Sequence, residues 1–333
     1  MRKRSLFLWL PLCAALLCGC TKTREPDTHT IYAMDTVMTL SIYDDRPDSS
    51  GLLNQAAAEI RRLDGLLDRG ADGSDIKKLN QNPDSIVSED TAGILKTALS
   101  LCASTNGAFD ITIAPVMDLW GFYGQNPRIP SPDQLSEALS QVDYRRIRQD
   151  GAHILSGGAQ IDLGGIGKGY TGDRIAALFK AQNVQSALLS LGGNVHAIGT
   201  KPDGKPWRIS IQDPADSREV IGTADAVDQA VVTSGGYQRF FEQDGGRYHH
   251  IIDPTTGYPA ESGLTSVTVI ASSGALADGL STALFVMGLD RGADYWRSRR
   301  DFGAVWVKEN GEIFITENLS EAFQSPRNVL VVA

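Results

Sequence analysis

The segment 274–288, GALADGLSTALFVMG, carries a carboxylate and a hydroxyl that could share one cation. Asp278 and Thr282 are four residues apart, so in a helix they lie on one face. The flanking residues are apolar nearly all round, which predicts a buried helix. A lone carboxylate is costly there unless it is paired or bound to a cation. Mg²⁺ suits the pair, because it takes few protein oxygens and keeps the others for water and phosphate. A cap or a buried hydrogen bond is the alternative.

The densest glycine cluster, IDLGGIGKGY over 161–170, is predicted to lie between a strand and a helix. Backbone N–H groups at such a helix start can face an anion. Asp162 and Lys168 flank the turn and offer one carboxylate and one cation directed at phosphate. The turn is not a Walker loop, since Gly169 replaces the required Ser or Thr, and Tyr170 breaks the dinucleotide fingerprint. Phosphate binding and a tight connection that needs positive φ remain equal alternatives.

Two adjacent histidines, His249 and His250, lie in the segment YHHIIDPTTGYP over 248–259, which begins as a predicted strand. Neighbours on a strand point to opposite faces, so the two rings cannot bind one metal. At most one faces a site, where the neutral imidazole, with an ordinary pKa of about 6.5, could act as a general base. A surface position on the strand is the alternative for either. No HExxH or Cys/His zinc spacing occurs in the sequence.

The sequence GLSTA around Ser281 nearly spells the nucleophile elbow of the α/β-hydrolases. That elbow needs a serine at a strand-to-helix turn and a histidine later in the chain. Ser281 falls inside the predicted helix, and no histidine follows His250. A serine hydrolase is therefore excluded.

The elements that must position these groups mix helices and strands without a strict βαβ rhythm. This pattern predicts an α+β fold, with mixed sheets flanked by helices. Ser88 and Ser131 are expected N-caps. Predicted helices cover 51–69, 89–106, a short stretch from 131, 170–182, 275–287 and 292–300. Predicted strands cover 31–43, 185–191, 207–212, 229–233, 248–252, 265–271, 303–307 and 312–316, with hairpin-like segments around Ile154 and Ile161.

The composition excludes several classes of protein. Of 333 residues, 42% are hydrophobic and 21% charged, which is ordinary for a globular protein and excludes disorder. The net charge of −9 argues against a nucleic-acid partner, because no basic stripe exists to release counterions from phosphates. No apolar run long enough to span a membrane occurs beyond the N-terminus.

The N-terminus is typical of a secreted and lipidated protein. Residues 1–19 combine a basic start with an apolar stretch that is too short for a stable span. The end of this stretch resembles the bacterial lipobox, with Cys20 as the lipidated residue, 20–30 as a polar linker and 31–333 as the body. Ordinary signal cleavage is the alternative. The expected location is the periplasmic face of a membrane, held through the lipid, and Cys102 is expected to be a small core residue.

Several segments occur in the order found in one family: FDIT (109–112), the IDLGGIGKGY turn, LGGN (191–194), TSG (233–235), HIIDPTTGYP and ADGLSTALFVMG. Over about 31–333 the chain resembles the bacterial FAD:protein FMN transferases of the ApbE family. The resemblance implies a two-lobed body with the FAD site between the lobes. It also implies Mg²⁺-dependent cleavage of FAD, transfer of FMN to a Ser or Thr hydroxyl of a membrane redox subunit, and release of AMP.

The resemblance also implies roles for individual residues. His250 would be the base that activates the acceptor hydroxyl. The Mg²⁺ ligands would be Asp278, Thr282 and the backbone oxygen of Gly165. The FAD contacts would be Met34, Ala108, Phe109, Asp110, Asp162, Lys168 and Ile252.

The chain departs from the family pattern at three places. Asp35 replaces a common glycine, Ser281 stands where some members have a carboxylate, and Arg69-Gly70 replaces an aromatic or amide residue. These departures bear on the balance between transfer and hydrolysis. An Mg²⁺-dependent FAD pyrophosphatase and a non-enzymatic, lipid-anchored flavin-binding protein therefore remain alternatives.

Overall fold

In the computed structural model, which describes residues 25–124 and 126–333, seventeen strands and seven α-helices are present. The strands are β1 (Asp27–Ala33), β2 (Thr36–Ile42), β3 (Asp84–Ile86), β4 (Arg148–Asp150), β5 (His153–Leu155), β6 (Ser186–Leu191), β7 (Asn194–Gly199), β8 (Trp207–Gln212), β9 (Val220–Ala226), β10 (Gln229–Gly235), β11 (Phe240–Gln243), β12 (Gly246–His249), β13 (Leu264–Ala271), β14 (Gly303–Lys308), β15 (Ile313–Thr316), β16 (Phe323–Gln324) and β17 (Val329–Val332). The helices are α1 (Ser49–Leu67), α2 (Asp75–Gln81), α3 (Glu89–Ser104), α4 (Ala114–Trp120), α5 (Pro132–Leu139), α6 (Gly167–Ala181) and α7 (Gly274–Arg299). The predicted α+β class is confirmed.

Nine strands form the main sheet, in the order β1-β2-β6-β7-β10-β13-β14-β15-β17. All neighbours are antiparallel except β15 and β17, which run parallel. Three smaller sheets accompany it: β3-β5-β4, β16-β9-β8 and the hairpin β11-β12. Helix α7 packs on β10 and β13 and on the neighbouring helices α3 and α6. The central strands therefore carry the helix on which the predicted metal ligands lie.

The helix starts follow local sequence rules. The Ser88 hydroxyl accepts a hydrogen bond from the Thr91 N–H at 3.3 Å, which caps α3. Ser131 caps α5 through a reciprocal capping box with Gln134. Both predicted N-caps are confirmed. Helix α7 is continuous in outline, but Gly288 is non-helical at φ 76°, and this break divides it close to where two helices were predicted.

The prediction of one strand over 31–43 is wrong. The chain forms the hairpin β1–β2, and the strand begins at Asp27, inside the expected linker. Met34 and Asp35 form its turn with φ of 49° and 56°. Two consecutive residues in the left-handed region suit a tight two-residue hairpin, and aspartate tolerates that region. Residues 1–19 and Cys20 lie outside the described residues.

The predicted strand before the glycine-rich turn is absent as well. Ile161 lies in irregular backbone, and the Asn80 side chain replaces a strand neighbour there. Its amide donates to the Ile161 carbonyl at 2.9 Å and accepts from the Ile161 N–H at 2.7 Å. Helix α6 then begins at Gly167 rather than at 170, so Lys168 belongs to its first turn.

Within the described residues no helix is long and apolar enough to cross a membrane. Cys102 is fully buried on α3, as predicted for a core residue. Burial raises the pKa of its thiol to about 12, so the thiolate that would act as a nucleophile does not form near neutral pH.

Candidate active site

The predicted site residues that the structure describes all line one cavity of about 1120 Å³. They come from the β1–β2 turn, the loop after α3, the glycine-rich turn, the segment after β12 and helix α7. The residues that line it include His250, Met34, Ala108, Phe109, Asp110, Asp162, Lys168, Ile252, Gly165, Asp278 and Thr282. The fold brings the set together, and the role of each residue remains a prediction.

The position of Asp278 follows from a close contact between α6 and α7. A Cβ on Gly169 would lie 2.1 Å from the Gly274 carbonyl oxygen, so only glycine allows this approach. The contact brings the Gly169 N–H within 2.8 Å of Asp278 Oδ2. Asp173 of α6 caps α7 in turn, accepting from the Gly274 N–H at 2.6 Å. The two helix starts thus fix the position of the carboxylate.

Thr282 lies one turn after Asp278 on the same face of α7, as the spacing predicted. Its hydroxyl lies 3.3 Å from Ser234 Oγ, which also lies 2.7 Å from Ser281 Oγ. Ser281 donates to the Asp278 carbonyl at 2.8 Å and is fully buried. The Ser281 side chain is therefore buried and bonded within its own helix, whereas Ser234 and Thr282 line the cavity.

The residues around Asp278 fit a cation of the Mg²⁺ type. The side chain is 5% exposed, and among the described residues no lysine or arginine forms an ion pair with it. Gly169 satisfies one carboxylate oxygen, while Thr282 and the Gly165 backbone reach the same cavity. No group of three or more His, Cys, Asp or Glu side chains with metal-site geometry occurs in the described part of the chain. One carboxylate with neutral oxygens suits Mg²⁺ better than a metal that needs thiolates or several imidazoles.

The glycine-rich turn is held from both sides. The Asp162 N–H donates to the Ile111 carbonyl at 2.8 Å, and Asp162 Oδ1 accepts from the Gly164 N–H at 2.7 Å. A Cβ on Gly165 would lie 3.0 Å from Phe109 Cε2, so the turn packs directly on that ring. Lys168 follows in the first helical turn, half-buried, and no described carboxylate pairs with it. Its ammonium group is thus available to an anion in the cavity.

The loop after α3 is shaped by Asp110. Its Oδ1 accepts from the Thr112 N–H at 2.8 Å and from the Thr112 hydroxyl at 2.7 Å, and Oδ2 accepts from the Tyr144 N–H at 3.2 Å. Burial raises the pKa of this carboxyl, and the hydrogen bonds oppose that effect. Asp110 therefore holds the loop that presents Ala108 and Phe109 to the cavity.

An ionic cluster that the sequence patterns did not predict lies beside Asp162. Arg69 pairs with Asp118 of α4, and its Nε lies 3.3 Å from Asp162 Oδ2. Its guanidinium also covers the Tyr123 ring, 5.2 Å from the ring centroid. Burial and the Asp162 charge raise the pKa of the Tyr123 hydroxyl well above its usual value, so it stays protonated. Arg69 was visible in the sequence only as a departure from the family pattern.

His250 lines the cavity and His249 does not, which agrees with the expectation that only one ring faces a site. The reason differs, because β12 ends at His249 and His250 lies just outside the strand. His250 Nδ1 lies 3.1 Å from the Arg239 carbonyl. A carbonyl only accepts, so Nδ1 carries the proton and Nε2 keeps its lone pair.

The environment of His250 keeps its imidazole neutral. Burial, together with the positive charges of Arg239 and Lys168, lowers its pKa to about 4. The ordinary value of about 6.5 that the sequence suggested is therefore wrong for this ring. His249 instead packs edge-on against Phe285, with the ring centroids 5.4 Å apart.

Met34 and Ile252 both line the cavity. Met34 sits in the β1–β2 turn, and its sulfur accepts from the Thr171 hydroxyl at 3.7 Å. Ile252 is buried and bridges to Pro259 across the turn that starts at Asp253. The indole N–H of Trp120 stabilises this turn by donating a hydrogen bond to the Gly257 carbonyl at 2.7 Å.

Comparisons with known proteins agree with this arrangement. A family model described as the ApbE family matches residues 34–306. A Treponema pallidum protein named FAD:protein FMN transferase is 31% identical over 319 residues, covering 89% of this chain and 88% of the relative. A Vibrio cholerae protein of the same name is 34% identical over 301 residues, covering 85% and 89%. The crystal structure of the ApbE protein from Thermotoga maritima superposes with a TM-score of 0.84 at 33% identity, covering 90% of this chain and all of that one.

Proposed function

The chain belongs to the ApbE family, and on that premise we propose that it transfers FMN from FAD to a Ser or Thr hydroxyl of a partner protein and releases AMP. The observation that carries the proposal is the shared cavity. Asp278, Thr282, Lys168 and His250 reach it from different elements. These groups match the needs of phosphoryl transfer, which are charge stabilisation and positioning of the attacking oxygen.

The charge-stabilising half of the site lies at the meeting point of α6 and α7. Asp278, Thr282 and the Gly165 backbone oxygen would hold Mg²⁺, which when bound supplies Lewis-acid polarisation of the phosphate oxygens. Lys168 adds a cation with no described carboxylate partner. It binds a phosphate of FAD and stabilises the charge that builds on the departing AMP. Phe109 and Met34 offer apolar contacts for the planar rings of FAD.

The proton-accepting half of the site is His250. Its Nδ1 proton is held by the Arg239 carbonyl, so Nε2 can accept the proton of the attacking hydroxyl. The deprotonated oxygen attacks the phosphorus of the FMN half and the bond to AMP breaks. A base at this position accelerates transfer by roughly 10²–10⁴-fold. Because the imidazole is neutral near pH 7, it is ready to act without first losing a proton.

We further propose that the protein is a lipoprotein on the periplasmic face of a membrane, anchored through Cys20. The support is the sequence of residues 1–20, which lie outside the described residues. A membrane redox subunit on the same side is the acceptor that this location favours. The polar segment after Cys20 would act as a linker that lets the folded body extend away from the membrane surface.

The experiment that tests the function is incubation with FAD and Mg²⁺, with and without a Thr-containing acceptor peptide, followed by measurement of AMP and of flavin bound to the peptide. The matched control is the same peptide with Thr replaced by Val. AMP that appears only with the Thr peptide supports transfer. AMP without any peptide would instead identify an FAD pyrophosphatase, and FAD binding without AMP would identify a flavin-binding protein.

A further inference from the structure

Three cationic side chains line the cavity in the described part of the chain: Arg69, Lys168 and Arg239. The three side chains differ in whether a carboxylate lies beside them. Arg69 is neutralised locally, because it pairs with Asp118 and Asp162. Lys168 and Arg239 have no carboxylate within ion-pair distance among the described residues. The uncompensated positive charge of the cavity is therefore carried by these two side chains.

Arg239 lies between β10 and β11, directly before the hairpin that leads to His250. Its carbonyl is 3.1 Å from both the His250 N–H nitrogen and His250 Nδ1, so the backbone of Arg239 is fixed against the imidazole. Its guanidinium lies 6.0 Å from the centroid of the Tyr123 ring, which Arg69 also covers at 5.2 Å. The exposed arginine is thus placed at the cavity, with its donors unused by protein carboxylates.

Lys168 and Arg239 line the same cavity. His250 lines that cavity as well, and the positive charge of each residue contributes to lowering the pKa of its ring. They come from different elements, the first turn of α6 and the segment before β11. Two cations on different elements of one cavity can each contact one of two adjacent anionic groups.

We propose that Arg239 is a second phosphate-binding residue, which acts with Lys168 on the diphosphate of FAD and so selects the dinucleotide over riboflavin. This inference rests on the proposed function. A guanidinium suits the task because its planar donors bind phosphate oxygens in pairs, whereas the ammonium of lysine acts as a point charge. The cavity also contains several carboxylates, Asp35, Asp64 and Asp68 among them, so a dianionic linkage needs compensating cations.

The test compares Arg239→Gln with the wild-type protein in binding assays with FAD, ADP and riboflavin, all with Mg²⁺ present. Loss of charge-assisted hydrogen bonds should weaken FAD and ADP binding by about 10- to 100-fold. Riboflavin has no phosphate, so its affinity should not change. Arg239→Lys should restore part of the lost affinity. The matched control is Arg247→Gln on the same hairpin, whose guanidinium pairs with Glu242 at 3.6 Å and does not line the cavity.

The side chain of Arg239 is exposed and its backbone makes the bonds to His250, so the variant should keep the wild-type melting temperature. Unchanged FAD and ADP affinity in Arg239→Gln would overturn the inference while leaving the proposed function intact. Equal losses for riboflavin and FAD would also overturn it, because they would show that Arg239 shapes the site and does not contact phosphate. Failure of the wild-type protein to bind FAD would refute the proposed function itself.

Discussion

The N–H of Gly169 donates to the Asp278 carboxylate at 2.8 Å, and this bond joins the start of α6 to the face of α7 that carries the proposed Mg²⁺ ligands. It exists because Gly169 and Gly274 let the two helices touch through their backbones. One helix contact thereby positions both Lys168, the proposed phosphate-binding residue, and Asp278, the proposed Mg²⁺ ligand. Substitutions at this contact should affect both functions together.

Gly169→Ala should force α6 and α7 apart, since the added Cβ would lie 2.1 Å from a backbone oxygen that cannot move independently. We expect the free energy of unfolding to fall by about 1–3 kcal/mol or more, and Mg²⁺-dependent activity to be lost. Chemical denaturation and FAD-cleavage assays measure the two effects. Gly65→Ala in α1 is the control, because its Cβ would meet nothing within 4 Å. A stable, active Gly169→Ala protein would contradict the tight contact.

Asp278→Ala should abolish FAD cleavage, because Thr282 and a backbone carbonyl cannot hold Mg²⁺ without the charge. Addition of Mg²⁺ should raise the melting temperature of the wild type and leave that of the variant unchanged. Asp294→Ala is the control on the same helix, since Asp294 is exposed and pairs only with Arg297 at 2.7 Å. Full turnover of EDTA-treated wild-type protein would refute the metal hypothesis.

His250→Ala should lower single-turnover transfer by roughly 10²–10⁴-fold with little change in FAD affinity, because the base acts on the acceptor hydroxyl. His249→Ala should keep the transfer rate, and its effect should be a lower melting temperature from the lost contact with Phe285. Flavin fluorescence follows FAD binding separately. A loss of transfer confined to His249→Ala would reverse the assignment.

The pH dependence follows from the lowered pKa of His250. In the proposed mechanism the neutral ring is the active base, so kcat/KM for transfer should stay constant as the pH drops through about 6.5 and fall only as the pH approaches about 4. Between these values the unfolded chain binds a proton that the folded chain excludes, so the free energy of unfolding should also decrease as the pH falls. A kcat/KM profile of the wild type and of His250→Ala measures this. An acid limb centred near 6.5 would show that the ring is more solvated than the structure indicates.

Cys20→Ala should release the protein from membranes and leave in vitro transfer intact, because the cysteine lies in the sequence before the folded body. Membrane fractionation after a high-salt wash, with activity measured in both fractions, is the test. A variant that still fractionates with membranes would contradict the lipoprotein proposal.

Local patterns predicted the helices well where capping and periodicity agreed, as in α3 with Ser88 and α5 with Ser131. They failed where a side chain replaced a regular partner. At Ile161 the Asn80 side chain makes the backbone hydrogen bonds that a neighbouring strand would otherwise make. The two residues are far apart in the chain, and no sequence pattern in either segment reveals that they pair. The β1–β2 turn was missed because Met34 and Asp35 carry no glycine signal for positive φ.

The sequence by itself determined the chemistry that is available: a carboxylate and a hydroxyl at helical spacing, a lysine after a glycine turn, and a histidine pair of which one member can face a site. These depend on periodicities of a few residues, which local backbone geometry enforces. Only the tertiary structure decided which cations stay unpaired, because Arg69 meets Asp118 and Asp162 through contacts distant in sequence, whereas Lys168 and Arg239 meet no described carboxylate. It also set the ionisation of His250, since burial and the fields of two distant cations act only once the chain has folded.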